Sequence, residues 1–206
     1  MKELFGLSQE ILMKYRLTVV DAYIAAYILL HLDYVHKNHT KLKKEDRKQL
    51  VEDLSFLNYA DRTLRYHISK LHGVIFHYQN TNIKDKYNLS FNSKLILDVF
   101  GYDSIIMKKH NLDLKDMLLI SYLTELSYSN SMYHIIVENK RYTYLAWKLL
   151  NKDYPILHLE SAGLKRRINV LIEKGIIERK SIFDPISHKR RNYYRVNHNH
   201  LSLLEK

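Results

Sequence analysis

Cysteine is absent from this 206-residue chain, and glycine and proline together supply only seven residues. Without cysteine there is no disulfide framework, no thiolate zinc site and no cysteine nucleophile. Glycine and proline stand at roughly a quarter of their ordinary frequency, too few for the closely spaced turns of a many-stranded sandwich or barrel. A mainly α fold with small β-ribbons (α+β) is expected instead. Long hydrophobic runs are also missing. The most apolar stretch, residues 23–30, is stopped by His31 and Asp33, well short of the ~20 residues that span a bilayer. The first six residues, MKELFG, contain no apolar signal core. These absences predict no membrane partner and a cytoplasmic location. Neither G-x-x-x-x-G-K-[ST] nor G-x-G-x-x-G occurs, which argues against a nucleotide-driven motor.

What the chain has is positive charge. Thirty-three Lys and Arg against 22 Asp and Glu leave +11, and the isoelectric point is near 9.5. Such a balance points to a polyanionic partner. Hydrophobic residues make up 46% and charged residues 27%, ordinary values for a chain with a core.

The sequence also repeats itself. Residues 17–27 (LTVVDAYIAAY) resemble residues 112–122 (LDLKDMLLISY) at a shift of 95. Each segment offers a capping Thr or Asp and then a largely apolar helix. Residues 61–71 (DRTLRYHISKL) parallel residues 161–171 (SAGLKRRINVL) at a shift of 100. Leu64, Ile68 and Leu71 in the first copy, and Leu164, Ile168 and Leu171 in the second, fall at i, i+4 and i+7, the stripe of a helix lying on a core. Both stripes run into glycine and aliphatic residues, at Gly73 and Gly175.

Each copy has a further helix between the paired segments, expected near 44–54 and 142–150. Strands are expected near 40–42 and over 133–137. A hairpin should follow each striped helix. The first would pair 74–78 with 86–91. The second would pair 176–182 with 192–196, across a loop holding Pro185 and Lys189 to Arg191. Helix, short strand, helix, turn, helix and two-stranded ribbon is the element order of the winged helix-turn-helix superfamily, which the chain resembles twice over. The resemblance implies two tandem winged-helix domains, at 17–91 and 112–197. Around them lie an N-terminal helix at 1–16, with apolar residues at 4, 7, 11 and 12, a connecting helix at 92–111 and a tail at 198–206. Two such domains in a short chain form a layout similar to plasmid and phage replication initiators.

At 100° per residue the striped helices turn polar groups outward. Arg62, Tyr66 and Ser69 face out in the first copy, flanked by Arg65 and Lys70. Arg166 and Asn169 face out in the second, with Ala162 and Val170, flanked by Lys165 and Arg167. Arg suits guanine and Asn suits adenine in a major groove. Residues 160–195 hold ten Lys/Arg against four acids, +6 of the total +11. Lys189, Arg190 and Arg191 at the hairpin tip suit a phosphate backbone or a minor groove. Lys41, Lys43, Lys44, Arg47 and Lys48 form a weaker patch, diluted by Glu45 and Asp46.

Catalytic patterns are thin. His36 with His39, and His198 with His200, have no supporting carboxylates at ligand spacing. Trp147, beside Tyr142, Tyr144 and Leu145, reads as core packing before base stacking. The expectation is therefore a non-enzymatic chain with no cofactor and no metal. Its expected partner is double-stranded DNA, joined by a second copy of itself or other protein subunits. The third helices would enter successive major-groove faces. The competing expectation is a winged-helix scaffold subunit of a larger nucleoprotein complex.

Overall fold

The computed structural model describes residues 4–5, 7–31, 44–72, 104–129, 133–184 and 188–197. It is an α+β structure whose chain divides into two compact units, Met1–Leu114 and Lys115–Lys206. The expected strand at 40–42, the first hairpin, the histidines at 36, 39, 198 and 200, and residues 92–103 of the connector lie outside the described residues, as do Lys41 and Lys43 of the weaker basic patch.

The first unit opens with a turn rather than the expected helix from residue 4. Leu4 and Leu7 exchange backbone hydrogen bonds of 2.9 and 2.8 Å, with Phe5 at a φ of 54°. A helix would turn Phe5 away from the stripe of Leu4 and Leu7, whereas the turn buries all three side chains. Phe5 meets Tyr23 edge-on at 5.3 Å. Helix α1 is consequently short, Gln9–Lys14. Helix α2, Val19–His31, buries Ala22, Tyr23, Ile24, Ala25, Ala26 and Ile28 almost completely, as a central helix must when it is apolar on most sides. Helix α3, Lys44–Asp53, gives way to a 3₁₀ turn at Leu54–Leu57. Helix α4, Asp61–His72, follows and packs on α2 and α3. Its stripe of Leu64, Ile68 and Leu71 is buried. Helix α5, Ser104–His110, packs against the 3₁₀ turn.

The second unit is built on helix α6, Leu114–Tyr128. Strands β1, His134–Val137, and β2, Lys140–Tyr144, form a hairpin. Its turn residues Glu138 and Asn139 have φ of 52° and 59°, the two positive values that a type I′ turn requires. This corrects the helix expected from residue 142. Tyr142 and Thr143 are buried in β2, and helix α7 starts five residues later, Trp147–Asp153. A 3₁₀ turn at Pro155–Leu157 and helix α8, Ser161–Glu173, follow. Gly175, at φ 72°, releases the chain into β3, Ile177–Asp184, paired with β4, Lys189–Val196.

The antiparallel sheet runs β1-β2-β4-β3. Thr143 of β2 lies opposite Tyr194 of β4, and Tyr144 opposite Tyr193. The β3–β4 ribbon is paired over its full eight residues, from Ile177 with Val196 to Asp184 with Lys189. Lys189, Arg190 and Arg191 therefore belong to a strand rather than to a loop. The ladder extends two residues further along β3 and three further along β4 than the expected pairing, because Phe183 continues the β-favouring run.

Candidate functional site

The two third helices, α4 and α8, are each anchored by an aspartate in the first turn of the unit's long helix. In the first unit Thr18 and Asp21 form a reciprocal cap. Thr18 donates its backbone N–H and its hydroxyl to Asp21 Oδ2 at 2.7 and 2.9 Å, and Asp21 N–H donates to Thr18 Oγ1 at 3.3 Å. The same carboxylate meets His67 Nδ1 at 2.6 Å and accepts from Lys70 Nζ at 2.6 Å. Burial by itself would raise the Asp21 pKa. The hydrogen bonds from His67, Lys70 and Thr18 outweigh that and hold it down to about 2.

The second unit repeats the contact. Arg167 Nη1 donates to Asp116 Oδ1 at 2.6 Å. Asp21 and Asp116 are related by the shift of 95, and His67 and Arg167 by the shift of 100. A second pair follows the same rule. The Tyr27 hydroxyl is raised by burial and by its hydrogen bond to Asp53. The Tyr122 hydroxyl donates to Asp153 Oδ2 at 2.9 Å, and burial together with that bond raises it far above its usual range.

Backbone features repeat as well. Arg16 and Asn111 both take a left-handed φ, as do Asn58 and His158. Leu17 N–H bonds Leu12 O, and Leu112 N–H bonds Met107 O, the same pair displaced by 95. The repeat thus reaches back to α1 and α5, which the sequence reading treats as unrelated flanking helices.

Two candidate contact residues consequently turn inward. Lys70 bonds Asp21 and the Arg16 carbonyl, the latter at 2.8 Å, and Arg167 bonds Asp116. Their long side chains bend from the helix flank toward a buried carboxylate. Arg62, Arg65, Tyr66 and Ser69 are exposed on α4, and Tyr66 meets His67 edge-on at 5.5 Å. Lys165 and Arg166 are exposed on α8, and Asn169 is half-buried, accepting from Arg179 Nη1 of β3 at 3.4 Å. This bond ties the outer face of α8 to the ribbon.

Lys189 and Arg190 are exposed near the ribbon's free end, and Arg191 is half-buried. At the root of the ribbon Glu178 accepts from Arg195 at 3.1 Å and from the Tyr142 hydroxyl at 2.8 Å. Desolvation would raise Glu178, but Tyr142 and Arg195 bring its pKa below the usual carboxylate value. Arg195 and Arg167 are thus matched by acids, and the exposed cations among the residues singled out from sequence in this unit are Lys165, Arg166, Lys189 and Arg190.

Trp147, 42% exposed, borders an open groove of about 340 Å³ with Asn151, His158, Leu159, Glu160 and Ser161. It is therefore not the core residue expected. Sequence reasoning passed over Arg179, which belongs to the charged surface, and Ile182 and Phe183, which are exposed at the ribbon end. The signal for these two was their place in a strand beyond the last buried position. Among the described residues no group of three His, Asp or Glu gathers as metal ligands would, and no helix is long and apolar enough to cross a membrane. No protein-family model, curated protein or solved structure matches the chain.

Proposed function

We propose that this chain is a non-catalytic, sequence-specific double-stranded DNA-binding protein built from two winged-helix units, with a role in replication initiation or transcriptional regulation. One observation carries the reading. In the second unit Arg167 of α8 and Lys180 and Arg195 of the ribbon are bound to acids, while Lys165, Arg166, Lys189 and Arg190 are exposed. A fold using its cations only for stability has no need of that second set. The sheet order, with β2 beside β4 and β4 beside β3, and a third helix leading directly into the ribbon support the winged-helix assignment. For the first unit the support is the repeated aspartate and tyrosine contacts.

In this mechanism α8 lies in a major groove with Arg166 and Asn169 toward base edges. Lys189 and Arg190 meet phosphates and supply affinity without sequence information. The test is a gel shift of a random 30-bp duplex, hairpin RNA and single-stranded DNA over a salt series. Duplex binding should dominate and fall steeply with salt, since each phosphate contact adds about −0.9 to the log–log slope. No duplex binding at low ionic strength overturns the reading and favours a protein-scaffold role.

A further inference from the structure

We infer that the free end of the β3–β4 ribbon carries an apolar wedge, Phe183, that enters the minor groove of duplex DNA and bends it. The inference rests on the DNA-binding reading above and adds a deformation to it. Phe183 is 54% exposed and Ile182 39%, although the last buried pair of the ribbon is Ile177 with Val196. Phe183 stands six residues beyond Ile177, so at about 3.3 Å per residue it projects up to roughly 20 Å past the buried root. Neither side chain adds to the core from there.

The register gives each apolar residue a cationic neighbour on its own face: Phe183 is opposite Arg190, and Ile182 opposite Arg191. The Phe183 ring meets His188 edge-on at 6.4 Å. A wholly apolar protein patch covering Phe183 would strip water from Arg190 without giving it a counter-charge. A flat bilayer surface would meet only one face of the ribbon, whereas Ile182 and Phe183, being consecutive, point to opposite faces. A narrow anionic groove fits both requirements. Its walls are sugars and base edges, its rims are phosphates, and it receives apolar side chains between base steps and Arg along its floor. The anchoring of the ribbon to α8 through Arg179 and Asn169 places such a tip in the same unit as the exposed Lys165 and Arg166.

The experiment uses the full chain with an A·T-rich 30-bp duplex carrying a donor and an acceptor dye at its ends, plus a second duplex with 2-aminopurine at central steps. Wild type at saturation should shorten the end-to-end distance and raise 2-aminopurine fluorescence. Phe183→Ala should bind within about threefold of wild type yet leave the duplex straight and stacked, while Phe183→Leu should keep the bend. Arg190→Ala should weaken binding while bending at saturation persists. Circular dichroism of each variant should match wild type, since the altered side chains are exposed. A duplex that stays straight with wild type, or bends equally with Phe183→Ala, overturns the wedge while leaving DNA binding intact. Absence of duplex binding by wild type overturns the DNA-binding reading and the wedge with it. Phe183-dependent binding to phosphatidylserine vesicles, with no effect of Phe183→Ala on duplex geometry, overturns it in favour of a lipid surface.

Discussion

The two units hold their third helices by the same acid and different bases. In the first, Asp21 is wholly buried and engages His67, Lys70 and Thr18. In the second, Asp116 retains 11% exposure and meets Arg167, itself 27% exposed. The difference teaches that the aspartate fixes the geometry, whereas the cation facing it is exchangeable. The outer faces differ more. Helix α4 presents Arg62 and Arg65 with Tyr66, while α8 presents Lys165 and Arg166 beside a ribbon carrying Lys189 and Arg190. The inward contact is common to both copies, and the outward surface distinguishes them.

The largest expected effect is on the aspartates themselves. Asp21→Ala removes the acceptor shared by Lys70, His67 and Thr18 and should destabilise the first unit by about 3 kcal/mol. Asp116→Ala, at a more exposed pair, should cost the second unit about 1–2 kcal/mol. Hydrogen exchange read separately on α2 with α4 and on α6 with α8 measures each. Equal losses would break the distinction between the two clasps.

Acid should next loosen the first clasp. The folded pKa of Asp21, about 2, lies below its unfolded value near 3.9. The folded state therefore binds its proton later than the unfolded chain does. The stabilisation is fully present above about pH 5 and is lost as pH falls toward 2. At ~1.4 kcal/mol per unit that loss comes to roughly 2 kcal/mol, read as reduced protection of α2 and α4 between pH 5 and pH 2.

The outer faces come third. Arg166→Ala should change sequence preference at one base pair by about 1–2 kcal/mol. Arg190→Ala should weaken all duplexes alike and flatten the salt slope by about one phosphate. Arg62→Ala on α4 should have the smaller effect in a selection from random duplexes, since more than half of the net charge lies in residues 160–195. Identical, sequence-independent losses from Arg166→Ala and Arg190→Ala would show that α8 does not read bases. The smallest effect is expected at the hydroxyls. Tyr27→Phe and Tyr122→Phe each remove one hydrogen bond to an aspartate and should cost about 1 kcal/mol apiece, measured by the same exchange experiment.

Much of the helical layout was legible because burial follows spacing. Leu64, Ile68 and Leu71, and their counterparts at 164, 168 and 171, announce both third helices and their inward sides. Of the β1–β2 hairpin, the strand expected over 133–137 matches β1, whereas the turn and β2 were not legible. The turn uses Glu138 and Asn139 with no glycine, so the usual I′ signal is missing. Residues 142–144 then read as the start of a helix, although pairing with β4 outweighs their local preference. The site was only partly legible for another reason. A helical wheel assigns Lys70 and Arg167 to a flank, but a side chain that long goes where a buried carboxylate draws it. The sequence did contain the clue, since Asp21 and Asp116 occupy matching places in one repeat, and His67 and Arg167 in the other.

Arg167 has one further consequence. It sits one residue from Arg166, about 100° around the helix, and its bond to Asp116 stops α8 from rolling about its own axis. The face of the unit from which Arg166 projects is therefore settled during folding rather than at the moment of encounter. A polyanion arriving at this surface has only exposed side-chain rotamers left to order, at about 0.5–1.5 kcal/mol each. Under the proposed DNA-binding function the clasp acts as pre-organisation, lowering the entropic cost of complex formation without touching the duplex.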